Sequence, residues 1–280
     1  MELYVSDLDG TLLNSRQEIC LDSIKIINEL IDEGLNFTIA TARSWESVKD
    51  IVAPLNLKLP FILANGALIY DPIKGENIVA NLIEPSMFDT VMEACNSLNL
   101  HPMVFTITPG GEYKAYYREV SNCCMEGFIR EREEKGDNRF TLIDAYHICT
   151  KDAIYSFAFS VEKDTVDDLC ERLKGKMDLL VHYHEDVYYP GYCWLEIAHR
   201  NANKKFAAEY LKEYTGANKL ICFGDNLNDC SMFEAADYKY AVRNANEALK
   251  KYATGIIGSN DESGVARFLQ SVFQKGERYV

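Results

Sequence analysis

Two stretches of this chain share one rhythm, and the stretch between them breaks it. Residues 3–6 are a short apolar run ending at Asp7. Residues 23–33 carry Ile24, Ile27, Leu30 and Ile31 at helical spacing, with Gly34 following as a C-terminal cap. Residues 37–40 form a second apolar run ending at Thr41, a helix is expected from Ser44 to near Pro54, and residues 61–64 form a third run stopping at the Asn65-Gly66 turn signal. After Trp194 the same alternation returns. A helix is expected over 204–214, closed by Thr215-Gly216, then a strand over 220–223 running into Gly224-Asp225. A helix over 229–236, a strand over 240–242, a helix over 247–252, a strand over 255–257 and a final helix from Gly264 complete the series. Parallel strands need long crossover connections, and helices supply them. The alternation therefore predicts an α/β fold, a doubly wound parallel sheet built from residues 1–82 and 191–280.

The intervening residues 83–190 read as an inserted α+β domain. Ser86 with Asp89 resembles a helix start, followed by Met87, Val91, Ala94 and Leu98. Residues 101–108 and 113–117 flank a Pro109-Gly110-Gly111 turn and suit paired antiparallel strands. A strand over 155–161, a helix over 164–174 and a strand over 178–183 make a second pass. The charge-dense run 131–139 is expected to be a solvated loop.

Composition narrows the function classes. A net charge of −14 without a basic stripe disfavours nucleic acid. It also requires any phosphate site to be locally positive, for which a metal ion with one or two lysines or arginines would suffice. The cysteines number nine, with no CxxC pair and with Cys123 and Cys124 adjacent, which reads as reduced thiols in a cytoplasmic protein. The N-terminal residues lack the charge pattern and apolar core of a signal peptide, and no run approaches the roughly 18 apolar residues of a membrane helix. No membrane association is expected, and the oligomeric state is open.

The chemistry centres on Asp7, Asp9 and Asp225. Asp7 and Asp225 each follow an apolar run, and the carboxyl ends of parallel strands form the ligand crevice of such sheets. Carboxylates converging there suit Mg²⁺. Asp9-Gly10-Thr11 has the look of a tight turn, which would let one carboxylate attack phosphorus while the other serves the leaving oxygen as acid and then water as base. Gly10 would permit close approach of backbone to phosphate.

Asp7-Leu8-Asp9-Gly10-Thr11 resembles the DxDGT motif of haloacid dehalogenase-type phosphotransferases. Thr41 in Ala40-Thr41-Ala42-Arg43 resembles their second motif, Lys204 the third, and Gly224-Asp225-Asn226-Leu227-Asn228-Asp229 the fourth, GDxxND. Asn65-Gly66-Ala67 and Ala241-Val242-Arg243-Asn244-Ala245 are similar to two further signatures of the Cof group. The resemblance spans the chain, since the insertion between second and third motifs matches that group's large cap. Ala42 and Val242 stand where the group commonly has glycine and methionine.

The resemblance implies a Rossmann-like core with a cap, and roles by position. Asp7 would be nucleophile and metal ligand. Asp9 would be acid/base and bind metal through its carbonyl. Asp225 would be the other metal carboxylate, and Asp229 would ligate metal or orient its water. Gly10, Thr41, Lys204 and Asn228 would hold the phosphoryl group. Arg43 and Asn65 are candidate substrate contacts, although a surface role suits Arg43 equally. The implied activity is Mg²⁺-dependent hydrolysis of small phosphomonoesters, sugar phosphates or phosphorylated cofactors, through a phosphoaspartate. A phosphomutase with the same aspartyl phosphate and a non-catalytic phosphometabolite-binding protein are the rival readings.

Blander readings compete at several positions. A lone DxD is usually a turn, Thr41 alone is a helix cap, and Lys205 follows Lys204. His182 and His184 share a strand face, but no third metal ligand is evident. Tyr183, Tyr188, Tyr189, Tyr192 and Trp194 are read as packing more than as a wall against the leaving group. Cys222 and Cys230 beside the fourth motif are read as inert thiols.

Overall fold

The structure, a computed structural model, describes residues 1–176, 178–186 and 189–275. Strand β1 (Glu2–Asp7) is followed by helix α1 (Leu21–Asp32), β2 (Phe37–Ala40), α2 (Trp45–Val52) and β3 (Phe61–Leu63), then by β4 (Leu68–Asp71) and β5 (Glu76–Ala80). Next come α3 (Pro85–Ser97), β6 (Met103–Ile107), β7 (Tyr113–Tyr117), α4 (Cys123–Glu134), β8 (Phe140–Leu142), β9 (Ala153–Glu162), α5 (Lys163–Leu173), β10 (Leu179–Glu185) and β11 (Tyr192–His199). The chain ends with α6 (Lys204–Thr215), β12 (Lys219–Gly224), α7 (Cys230–Ala235), β13 (Tyr238–Val242), α8 (Glu247–Lys250), β14 (Gly255–Ile257) and α9 (Gly264–Lys275). By packing it divides into two units, residues 1–79 with those from 202 onward, and residues 80–201.

The first unit holds an eight-stranded sheet ordered β14-β13-β12-β1-β2-β3-β4-β5. From β14 to β3 neighbouring strands are parallel, and β4 turns back antiparallel on β3. Central strands buried on both faces must be apolar almost throughout, as Leu3-Tyr4-Val5 and Leu220-Ile221-Cys222-Phe223 are. The chain leaves β1 toward β2 on one side and returns on the other as β12. The order of strands therefore reverses at β1 and β12, where open α/β sheets bind ligands. Helix α6 begins there because Asn203 caps it, its side chain accepting the Phe206 N–H at 2.9 Å, and it ends at left-handed Gly216.

The second unit is a six-stranded sheet ordered β10-β11-β9-β6-β7-β8. Alternate residues of β9 serve opposite faces: Phe157 and Phe159 join the cluster with Val91, Leu169 and Leu195 under α3 and α5, whereas Ala158 meets Met125 and Ile129 of α4.

Two expectations need correction. The stretch from 191 to 199, expected in the parallel core, contains β11, which pairs with β9 and β10 in the second sheet. Its alternation of Cys193, Leu195 and Ile197 is that of an antiparallel strand, and the aromatic density around it masked the pattern. The run 131–139 is not simply a solvated loop. Its first residues finish α4, started by the Asn122 cap, and Arg139 is buried with both guanidinium arms on Asp137, at 2.8 and 2.6 Å. A narrow stripe of Met125 and Ile129 suffices to seat that helix, and the charges cover its other face.

Candidate active site

The ends of β1 and β12 present Asp7 and the loop carrying Asp225 side by side, since Ser6 is in register with Phe223. Lys204, in the first turn of α6, reaches into this point. Its Nζ donates to Asp7 Oδ1 at 2.5 Å and to Asp229 Oδ1 at 2.7 Å, and its side chain is 1% exposed. Asp229 is equally buried, and its other oxygen accepts the Asp225 N–H at 2.9 Å and the Asn226 N–H at 3.2 Å. Thr11 donates its hydroxyl to Asp225 Oδ1 at 3.2 Å. Carboxylate oxygens of Asp7, Asp225 and Asp229 lie within 4.8 Å of one another.

One ammonium against three carboxylates leaves excess negative charge in a dry site. Burial, and the Asp229 and Asp225 charges, push the Asp7 carboxyl well above the usual carboxylate range against the pull of Lys204. Burial and Asp229 push Asp225 up to about 6. Burial pulls Lys204 down, but Asp229 and Asp7 outweigh it and hold the lysine above its ordinary value. The cluster thus carries an ammonium that stays charged and carboxylates that would be relieved by a further cation.

Gly10 makes the crowding possible. It takes φ +74°, and a Cβ there would lie 2.4 Å from Asp225 Oδ2. Asp9 stands apart from the acidic cluster: its carboxylate, 48% exposed, accepts both arms of Arg43, Nε at 2.8 Å and Nη2 at 2.6 Å. Arg43, a candidate substrate contact, is therefore engaged with Asp9. Thr41 is buried directly after Ala40, the register partner of Asp7, and its hydroxyl accepts the Arg43 N–H at 3.1 Å. Its carbonyl accepts the Asn65 N–H at 3.0 Å, with Asn65 itself at φ 53°. Asn228 is exposed on the short turn Leu227–Asp229.

A model of the haloacid dehalogenase-like hydrolases matches residues 4–269. The chain belongs to that family. It is similar to a Bacillus subtilis protein named 5-amino-6-(5-phospho-D-ribitylamino)uracil phosphatase YwtE, 27% identical over 292 residues, with 97% of this chain and 98% of the relative covered. It is also similar to phosphatase YwpJ of the same organism, at 28% identity over 96% and 99% of the two chains. Among solved structures, a Thermotoga maritima protein superimposes with a TM-score of 0.76 at 26% identity, covering 96% of each chain. A haloacid dehalogenase-like hydrolase from B. subtilis gives 0.77 at 24% identity over 98% and 99%, a likeness of fold.

Several residues escaped the sequence reading. Thr11 holds Asp225, and Asn244 donates to the Gly10 carbonyl at 2.8 Å. Both lie inside motifs already quoted, but a contact spanning 234 positions leaves no local signal. The reading of His182 and His184 as a metal pair falls on a side chain outside the described residues; among the described residues, the group able to hold a metal is Asp7 with Asp225 and Asp229. Tyr188 and the His184 side chain lie outside the described residues. Trp194 donates its indole N–H to Asp186 at 2.7 Å within the second unit, while Tyr183 is exposed. Cys222 is buried and its thiol is pushed up by burial, as an inert thiol would be. No helix among the described residues is long and apolar enough to cross a membrane.

Proposed function

We propose that the chain is a magnesium-dependent phosphatase acting on small phosphomonoesters through a phosphoaspartate at Asp7. As a haloacid dehalogenase-like hydrolase whose relatives are named phosphatases, it is a phosphoric monoester hydrolase; the route, the ion and the substrates are the proposed part. The observation that carries the reading is the convergence of Asp7, Asp225 and Asp229 on one buried lysine at the point where strand order reverses.

The donor set fits a hard cation, being all oxygen. The upward push on Asp7 and Asp225 is the mark of uncompensated negative charge that such a cation would relieve. Asp7, Asp225, Asp229 and the Asp9 carbonyl would hold Mg²⁺, which when bound supplies positive charge beside the transferring phosphoryl group.

A carboxylate oxygen of Asp7 attacks phosphorus, and the bond to the leaving oxygen breaks. Asp9 gives its proton to that oxygen. Water then attacks the phosphorus of the acyl phosphate and gives its proton to Asp9, the bond to Asp7 breaks, and phosphate departs. Lys204, Thr41, Asn228 and the backbone at Gly10 hold the phosphoryl oxygens. Because Arg43 grips Asp9 as a carboxylate, that ion pair opens before Asp9 acts as an acid, which frees Arg43 for the substrate. Phosphomonoester hydrolysis can need acceleration of up to about 10²¹, and an acid/base pair contributes about 10²–10⁴. Fixed positive charge must supply much of the remainder.

The substrate class is sugar phosphates or phosphorylated cofactors, including ribityl phosphates of the kind named for one relative. Phosphate release from such a panel, with Mg²⁺ and with chelator, tests the reading. Chelator-sensitive release on a few members is expected. Isomerised hexose phosphate without free phosphate would replace the phosphatase with a mutase.

A further inference from the structure

The loop after β1 is held from outside by the C-terminal part of the first unit. Asn244 follows β13, and its side chain works in two directions: the amide N–H donates to the Gly10 carbonyl at 2.8 Å, and the amide oxygen accepts the Asn260 N–H at 3.0 Å. Asn260 in turn donates its side-chain amide to the Leu13 carbonyl at 2.9 Å. Two residues beyond Asn244, the Asn246 N–H donates to the Asp225 carbonyl at 2.7 Å. One short segment thus grips both the loop that follows Asp7 and the residue Asp225.

What Asn244 fixes is the Gly10–Thr11 peptide. That peptide lies against Asp225 at two points: the Cα of Gly10 leaves no space for a Cβ beside Oδ2, and the Thr11 hydroxyl donates to Oδ1. Turning the peptide would carry Thr11 off Asp225 or drive Gly10 into it. An outer hydrogen bond that orients a ligating carboxylate is worth about 10–100-fold in metal affinity.

We propose that Asn244, braced by Asn260, is a positioning residue that sets the Asp225 carboxylate for cation binding. This rests on the reading of Asp7, Asp225 and Asp229 as a cation site. Asn244 touches no reacting atom and acts through Gly10, Thr11 and Asp225.

Asn244→Asp isolates the contact. The carboxylate can still accept from Asn260 but cannot donate to Gly10. Its added negative charge would by itself attract a cation, so weaker binding cannot come from Coulomb's law. Asn14→Ala is the matched control, because Asn14 braces the same loop by accepting the Arg16 and Glu18 N–H groups without reaching Gly10. Mg²⁺ binding to the whole chain is measured by calorimetry, alongside the melting temperature of each variant in chelator. The expected result is a Kd raised about tenfold or more in Asn244→Asp, with Asn14→Ala binding like the wild type even where it melts lower. Should Asn244→Asp not fold, Asn260→Asp, which removes the brace to Leu13, is expected to weaken binding in the same direction. Wild-type affinity in the variant that is folded, or an equal loss in Asn14→Ala, overturns the inference and leaves the cation site standing. A wild type that takes up no Mg²⁺, or an Asp225→Asn variant that binds as well as the wild type, overturns the cation site and the inference with it.

Discussion

Each unit of the molecule buries an ion pair, and the two behave oppositely. In the second unit Arg139 meets Asp137, two residues away, through a two-armed fork. Burial pushes Asp137 up, but the hydrogen bonds and charge of Arg139 win and hold it below the usual carboxylate range. In the first unit Lys204 gathers Asp7 and Asp229 from 197 and 25 positions away, with Asp225 beside them. There burial and like charges win, and Asp7 sits well above the usual range. A local, balanced pair holds a loop. A distant, unbalanced cluster stores electrostatic tension that a cation would release.

The largest contrast is in activity. Lys204→Met should lower kcat by about 10²–10³, as removal of one preorganised donor does, while Arg139→Met should leave kcat near wild type. Both should lose stability by about 3–5 kcal/mol, because each strands a buried carboxylate. Phosphate release and urea midpoints on the two variants would break the contrast if Arg139→Met were the inactive one.

The next contrast is one of sign. Asp7→Asn should abolish turnover yet melt higher than wild type in chelator, since it removes a charge the apo site disfavours. Asp137→Asn should melt lower and stay active. A shift of about 1 kcal/mol corresponds to a few degrees in a chain of this size, which scanning calorimetry resolves.

The pH dependence follows from the same cluster. A carboxylate raised in the folded state binds its proton more tightly there than when unfolded. Its stabilising contribution is present below the ordinary value of 3.8 and is lost as pH rises through about 6 at Asp225. Mg²⁺ competes with that proton. The rise in melting temperature on adding Mg²⁺ should therefore be larger at pH 8 than at pH 5, and a rise independent of pH would refute the link.

The smallest contrast compares two glycines at positive φ. Gly111→Ala in the second unit meets nothing within 4 Å and should cost only the conformational strain, about 1–2 kcal/mol. Gly10→Ala adds a contact at 2.4 Å with Asp225 and should cost more, and it should also weaken Mg²⁺ binding. Denaturant midpoints and calorimetry separate the two effects.

What the sequence disclosed follows the same division between local and distant. Parallel strands announce themselves as apolar runs, and Asp7 and Asp225 stand at the ends of two of them, so both were legible as candidates for one crevice; that β12 lies beside β1 is visible only in the sheet. Lys204 and Lys205 could not be separated by spacing. Folding does so, because the Asn203 cap starts α6 with Lys204 facing β1, while Lys205 lies outside and meets Glu234. The grip of Arg43 on Asp9 and the reach of Asn244 to Gly10 were not legible, since each joins loops that only the assembled sheet brings together. The strand Tyr192–His199 was missed because Tyr189, Tyr192 and Trp194 crowd its start and obscure the alternation of Cys193, Leu195 and Ile197 that pairs it with β9.

The most direct test of the account is to trap the covalent step. The enzyme turning over a phosphomonoester in Mg²⁺ is quenched in acid and reduced with tritiated borohydride, which converts an aspartyl phosphate to homoserine, releases the phosphate and leaves tritium on the chain. Labelled homoserine is expected at position 7, dependent on substrate and absent from Asp7→Asn. Steady turnover with no label on the chain, or with label on another residue, would contradict it.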